Sequence, residues 1–319
     1  MSVIANNIVA GAAGQGGAGY KIERSLRFNS ADSAYLGKTF SSAGNTTTWT
    51  LSFWIKRAKG GNSKSVLMAY SGSSIAETSY ANIYFNSSDQ LIVGYAYANY
   101  KRTNRVFRDF SSWYHIVIRL ETGNSTASDR VQIYVNGEKE TSFASTHDPD
   151  LNQSLAWNKA YIHRFGSEYG QFYNDCYFAD VYFIDGQALA PTDFGEYDSN
   201  NVWQPIEYSG TYGSNGFHLD FSDNSSNAAL GTDSSGNSNT WTVNNLSVAS
   251  GSGNDSLIDT PTNYTAASGN NGGNYATLNP LQKGSSITLS NGNLDVSHSG
   301  SNNAISVSTI GVSSGKWYV

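Results

Sequence analysis

The chain has 319 residues, with 19 Lys and Arg against 25 Asp and Glu for a formal net charge of -6, and aromatic residues (13%) are nearly as common as charged ones (14%). That balance excludes a general nucleic-acid-binding surface, which needs concentrated positive charge to displace counterions from phosphates. The single cysteine, Cys176, excludes an internal disulfide and a cysteine-based zinc site.

The N-terminal stretch, residues 1–20, carries Val3, Ile4, Ile8 and Val9 ahead of a Gly/Ala run. Met1 to Gly19 lacks the Lys and Arg that open a secretory signal, and no stretch of the chain approaches the ~18–20 apolar residues of a membrane span, so no membrane insertion is expected. The composition is that of a tail that docks on a partner through those four apolar residues.

From Trp49 onward, Trp49, Leu51, Phe53 and Ile55 alternate with Thr50, Ser52, Trp54 and Lys56, the period of a strand buried on one face. Further strands are expected at Ile22–Phe28, Ser65–Tyr70, Tyr80–Phe85, Leu91–Tyr97, Trp113–Leu120, Arg130–Val135, Tyr161–Phe165 and Tyr177–Ile184. The basic group Lys101, Arg102, Arg105 and Arg108 reads as a solvated loop between strands. His115 alternates in phase with Trp113 and Val117 and reads as a hydrogen-bonded structural histidine. Asn-Gly in Val135–Glu138 and Asp-Gly in Ile184–Gln187 predict two-residue hairpin loops. Leu189–Glu196 predicts one helical turn capped by Thr192.

After Pro205 aromatic density falls, and polar runs separate sparse strand candidates at Gly216–Phe221, Trp241–Leu246, Ser286–Leu289 and Ala304–Ile310. The expected organisation is a docking tail (1–20), a β-sandwich (21–205), a β-rich connecting region (206–270) and the start of a second β domain (271–319).

Thr48–Arg57, Trp113–Leu120, Val131–Lys139 and Cys176–Glu196 supply the motifs TWTLSFWIKR, WYHIVIRL, VQIYVNGEK and CYFADVYFIDGQALAPTDFGE. In that order they resemble the laminin-G-like branch of the concanavalin A-like lectin/glucanase superfamily. The resemblance implies an all-β, concanavalin A-like jelly-roll sandwich, followed here by a Gly/Ser/Asn-rich β region. With Ser25–Leu36, Gly216–Ser247, Asp259–Tyr264 and Asn274–Leu281 added, the whole arrangement is similar to virion-associated proteins of marine tailed bacteriophages. Gly315–Tyr318, GKWY, resembles the opening of a further SPRY-like domain, so the native chain is expected to continue.

That likeness implies a virion location and a tail fibre or similar appendage. Its tail would dock on other virion proteins, its copies would form a homo-oligomer with a trimer favoured, and it would contribute to attachment at a host-surface glycan. The alternatives are a ligand-free capsid fibre, decoration or connector protein, and a glycan depolymerase.

A glucanase would place acid and nucleophile at alternate positions of one strand, ~5–5.5 Å apart for retention, and no such run occurs. Asp148 with Asp150 is broken by Pro149, and Asp220 with Asp223 sits in a turn-like run, so no catalytic residue is assigned and a non-enzyme is expected. The loop Ser167–Asp175 offers Tyr169, Phe172 and Tyr173 for stacking on sugar faces beside Asn174 and Asp175 for hydrogen bonds. Laminin-G-like relatives sometimes bind calcium at the sandwich rim, so calcium is the one candidate cofactor, with Asp148, Asp150 and Asp175 as candidate oxygen ligands. Thr232–Asn239, TDSSGNSN, lacks the later bidentate Glu of a calcium loop and reads as a polar turn.

Overall fold

In the computed structural model the described residues are 19–72, 80–95, 98–265, 271–300, 303–311 and 313. The expected docking residues Val3, Ile4, Ile8 and Val9, and the GKWY segment, lie outside them.

The alternating apolar runs form strands β1 (Ser25–Phe28), β2 (Tyr35–Thr39), β3 (Thr48–Arg57), β4 (Lys64–Tyr70), β5 (Tyr80–Phe85) and β6 (Gln90–Tyr95). They continue as β7 (Ala98–Val106), β8 (Tyr114–Glu121), β9 (Val131–Val135), β10 (Glu138–Lys139), β11 (Phe143–Thr146), β12 (Ile162–Phe165) and β13 (Cys176–Asp185). A short hairpin, β14 (Gly195–Tyr197) with β15 (Trp203–Pro205), precedes β16 (Phe217–Leu219), β17 (Thr242–Asn244) and β18 (Ser256–Leu257). Among the described residues the only helical structure is short 3-10 turns, and no helix is long and apolar enough to cross a membrane.

Two antiparallel sheets face each other as a jelly-roll sandwich. Sheet A runs β10-β9-β8-β3-β13-β1-β18, with β16 also paired to β13; sheet B runs β11-β7-β6-β5-β4-β12-β2-β17. A bulge between Ala179 and Tyr182 lets β1 pair with one half of β13 and β16 with the other. Between the sheets Phe53, Phe165 and Phe178 meet edge to face, with centroids 4.7 Å apart for Phe165–Phe178, and Trp49 packs on Trp157 at 5.4 Å.

The expectation of one buried face for the Trp49 strand is corrected by the structure. β13 is buried along its whole length and β3 at every position after Thr48, on the outer face as well as the inner. The cover comes from later chain. On that outer face His115 stacks on Trp54 at 4.8 Å and accepts a hydrogen bond at Nδ1 from Trp203 Nε1 at 2.9 Å. Because the indole N–H can only donate, the imidazole proton sits on Nε2, facing Ser52 Oγ at 2.8 Å. Complete burial holds His115 neutral, with its pKa lowered to about 3. The Asn136–Gly137 hairpin forms as predicted, with φ of 50° and 82°, and a Cβ on Gly137 would lie 2.4 Å from the Trp203 ring.

Asp185–Gly186 makes no hairpin. Asp185 instead accepts from Asn45 N, Asn158 Nδ2 and Asn215 N, pinning three loops to the end of β13. The helical turn is three residues, Pro191–Asp193, and its cap is Asp193 Oδ2 accepting from Ala190 N, with Thr192 inside the turn. The basic group is likewise not a solvated loop. Lys101, Arg102 and Arg105 lie on β7, and Lys101, Arg105 and Arg108 are paired with Asp148, Glu140 and Asp89.

The boundary expected near residue 206 is not where the core ends. β16 pairs with β13, β17 with β2 and β18 with β1, and Phe217, Leu230, Trp241 and Leu246 share one buried cluster with Phe28 and Phe165. Beyond it, β19 (Tyr264–Thr265) with β20 (Asn271–Gly272), β21 (Leu278–Lys283) with β24 (Ser306–Ser308), and β22 (Ile287–Ser290) with β23 (Asp295–His298) form short pairs. They are tied to the outer face of sheet A by Lys56, which donates to Asp259, Asn274 and Tyr275, and by Arg27, which donates to Asp255, Ser252 and Asn291.

Trp241 is 1% exposed and packs at 5.0 Å on Phe217. Trp241→Ala is expected to cost roughly 3–5 kcal/mol in a single denaturant transition. A sandwich unfolding at its original midpoint, with a separate early transition, would show that residues 206–257 are not part of its core.

Candidate functional site

A hollow with room for a ligand lies beside the loop that leaves sheet B between β12 and β13. The loop starts at Gly166, where φ is +87° and a Cβ would lie 2.4 Å from the Phe28 ring, so only glycine lets the chain turn away over the core. It is then bolted to β4 at a bulge between Ser65 and Leu67. Gly166 N donates to Val66 O at 2.8 Å, Ser65 N to Phe172 O at 3.1 Å, and Asn174 Nδ2 to Ser65 O at 2.9 Å.

Within the loop, Glu168 and Gln171 exchange backbone hydrogen bonds of 2.8 and 2.6 Å around Gly170. Tyr169, inside that turn, and Phe172, just after it, have φ of 43° and 49°, a left-handed conformation that costs a non-glycine residue about 1–3 kcal/mol. Both rings are partly exposed, Phe172 at 48% and Tyr169 at 38%.

Phe172 and Tyr173 wall a shallow hollow of about 540 Å³ whose other sides are Ser30, Lys59, Asn62, Ser63, Lys64 and Ser87. Behind the wall, Lys64 Nζ reaches Tyr173 O at 2.7 Å and Asp175 Oδ2 at 2.8 Å, and Asp175 also accepts from Ser30 N and Oγ. Lys64 and Asp175 are nearly buried, and they anchor the loop. Lys59 is exposed at the mouth and pairs with no carboxylate among the described residues.

Of the five residues read from sequence as ligand-binding, Phe172 and Tyr173 meet at this hollow. Tyr169 turns to the other side of the loop and packs edge to face on Tyr70 at 5.0 Å. Asn174 and Asp175 do not face the hollow as hydrogen-bonders: Asn174 is buried and both are spent on the anchor. Sequence reasoning missed Lys59, Asn62 and Ser63. These short polar residues in a turn carry no pattern of their own.

On the other flank of the loop, Tyr35 of β2, Tyr70 of β4 and Arg164 of β12 come together on the outer face of sheet B. The Arg164 guanidinium lies 4.5 Å from the Tyr35 ring centre and 5.8 Å from that of Tyr70. On the same face Asn82 Nδ2 donates to Glu168 Oε2 at 2.5 Å. Burial pushes the Glu168 carboxyl above the ordinary range, with the Asn82 bond opposing it.

The carboxylates weighed for catalysis or calcium are otherwise occupied. Asp148 is 2.7 Å from Lys101 Nζ, Asp175 is held by Lys64 and Ser30, and Asp150 is exposed. No group of three His, Cys, Asp or Glu able to hold a metal occurs among the described residues, so the proposed calcium ligands do not fit one ion. Asp220 and Asp223 each accept from a serine two residues on, as turn carboxylates do. In Thr232–Asn239, Asp233 accepts from Ser235 N and Asn239 N and closes the polar turn expected there.

Residues 28–186 match the family model of the concanavalin A-like lectin/glucanases superfamily. Solved structures similar to the chain include a native heptameric SAP-like pentraxin from Limulus polyphemus, at 15% identity and TM-score 0.38 over 54% of this chain and 80% of that one. Domains LG4-5 of the mouse laminin alpha1 chain match at 11% identity and TM-score 0.37, over 60% of this chain and 47% of theirs. A Trypanosoma rangeli sialidase matches at 12% identity and TM-score 0.33, over 46% of this chain and only 22% of its own length. Among curated proteins nothing matches the sequence.

Because Asp148, Asp150 and Asp175 are not gathered at one point, the melting temperature is expected to be the same with calcium as with a chelator. A site of millimolar affinity at a tenfold excess of calcium would instead add about 1.4 kcal/mol, visible as a rise in melting temperature.

Proposed function

The domain at residues 28–186 belongs to the concanavalin A-like lectin/glucanase superfamily, and from that premise we propose that the chain is a non-catalytic, glycan-binding structural protein of a tailed-bacteriophage virion. Its N-terminal residues dock on other virion proteins, it assembles as a homo-oligomer, and the sandwich displays loop 167–175 towards the host surface. The virion part of the reading rests on the likeness of the ordered sequence motifs to phage appendage proteins.

The observation that carries the binding part is the strained loop. Backbone strain persists only where the surroundings over-determine it and is concentrated at functional positions. Here two aromatic residues are held at positive φ, and the result is an exposed Phe172 ring beside a hollow lined by Ser30, Asn62, Ser63 and Lys59. A hydrophobic ring with convergent polar groups at its edge is what a saccharide needs, since its C–H face stacks and its hydroxyls exchange hydrogen bonds.

Binding without catalysis is supported by the use made of the carboxylates. A glycosidase needs two carboxyl groups facing one cleft, ~5–5.5 Å apart for retention or ~6.5–9.5 Å for inversion. Asp175 is neutralised by Lys64 behind the hollow, and Glu168 lies on the other flank of the loop bonded to Asn82. Weak contacts of a single hollow gain strength from several copies on one particle through effective concentration.

Purified protein preincubated with host cells of the phage that carries it is expected to slow adsorption of that phage. Phe172→Ala protein should need about tenfold more for the same effect, the loss of a stacked ring, with its melting temperature unchanged. Failure of both proteins to compete would favour a ligand-free decoration or connector instead.

A further inference from the structure

We propose that Lys56 and Asn274 join their side chains in an isopeptide bond, formed by the folded chain itself with Asp259 as proton carrier and one ammonia released. The inference goes beyond the function proposed above and does not rest on it.

Lys56 lies on β3, with its side chain on the covered outer face of sheet A and 1% exposed. The three hydrogens of its amine are spent on three acceptors: Asp259 Oδ2 at 2.8 Å, Asn274 Oδ1 at 2.9 Å and Tyr275 O at 2.6 Å. Lys64 and Lys101, also nearly buried, each meet a carboxylate but bond no side-chain amide among the described residues. At Lys56 an amine, a carboxylate and a carboxamide share one contact, which is the set of groups a transamidation needs.

Each partner is held in place. A parallel bridge between Asp259 and Gly273, in which Thr260 N donates to Gly273 O at 2.9 Å, brings Asn274 up to Asp259. Asn274 Nδ2 donates to Ser111 O at 2.7 Å, which decides that the oxygen end of the amide faces the amine. Trp113 Nε1 donates to Asp259 Oδ1 at 3.1 Å and leaves Oδ2 turned to Lys56. Trp113 and Tyr177 are buried around the group, with the amine 5.8 Å from the Tyr177 ring centre, and they keep bulk water away from the reacting atoms. Asn274 itself is half-buried, so ammonia has a way out.

Only a neutral amine is nucleophilic, and Asp259 is in contact to take the proton that Lys56 must lose. Nζ then attacks Cγ of Asn274, one bond beyond the oxygen it already touches. The Cγ–Nδ2 bond breaks as Asp259 passes its proton to Nδ2, and a second proton from Nζ leaves with the departing nitrogen. In sum, the ammonium of Lys56 and the carboxamide of Asn274 give a secondary amide and one ammonium ion, nothing is oxidised or reduced, and Asp259 ends as a carboxylate. The bond ties positions 218 residues apart. It secures to the central strand a segment whose two-stranded pairs, β21 with β24 and β22 with β23, are marginal by themselves. With one cysteine in the chain, a disulfide within it is not available for that task.

The test is high-resolution mass spectrometry of the full chain, denatured after purification. The intact mass is expected to lie below that of the sequence by one ammonia, and a tryptic digest should contain a branched peptide in which Lys56, uncleaved, is joined to Asn274. Asn274→Ala and Asp259→Asn proteins should each have the unlinked mass of their own sequences, and Asn274→Ala should migrate more slowly than wild type in a denaturing gel, having lost the closed loop. Wild-type protein at the full mass of its sequence, or with the ammonia loss traced to a succinimide at an Asn-Gly pair, would overturn the proposal. A branched peptide in Asp259→Asn protein would overturn the proton-carrying role of Asp259 and leave the bond standing.

Discussion

The pairing of β3 with β13 at the centre of sheet A is the constraint from which the rest follows. Both strands are buried on two faces, and the outer face includes Ser52, Lys56, Tyr177, Asp180 and Tyr182 as well as aromatic residues. Polar groups removed from water must find partners or cost several kcal/mol each. Chain from before the first strand and from after β13 supplies them. Trp203 donates to His115, which faces Ser52; Asp259 takes both Lys56 and Trp113 Nε1; Tyr20 and His218 meet on Asp180. These contacts join positions separated by up to 203 residues for Lys56 and Asp259, so the cover is specified by partner chemistry and the sandwich core by hydrophobic alternation.

β4 of sheet B is buried along its whole length as well, and the hollow lies beside the loop that leaves that sheet. Sheet B keeps Tyr35, Arg164 and Glu168 on its solvent side, and the loop from β12 to β13 crosses its edge under tension, held by the β4 bulge and the Lys64–Asp175 pair. A nearly buried ion pair gains little net stability, because desolvation offsets its attraction, but it fixes geometry once formed. Its role here is to hold Phe172 and Tyr173 in place at the hollow. The sandwich core, the loop anchor and the exposed rings therefore form one chain of dependence.

Much of the sandwich was legible because alternation at period two is a local signal, and β3, β5, β8 and β13 lie close to where it appears in the residues. β2 was not legible, since Gly37 and Lys38 interrupt its pattern, and β7 read as a basic loop because its acidic partners come from residues 140 and 148. After 206 the strand candidates Gly216–Phe221 and Trp241–Leu246 contain β16 and β17, but their pairing with β13 and β2 was not legible, because those partners are distant in sequence. At the site, aromatic density pointed to loop 167–175, whose Phe172 and Tyr173 wall the hollow. The roles of Asn174 and Asp175 were misassigned because their partners, Ser65 and Lys64, are 109 and 111 residues away.

The most direct test of the account is amide hydrogen exchange of the full chain with and without a bound host polysaccharide. Protection confined to peptides covering residues 59–70 and 162–175 is the predicted result, since most of the hollow's lining and the loop's anchor lie there. Protection centred on residues 203–293, the cover of sheet A, would contradict the claim that sheet B and its loop are the binding face.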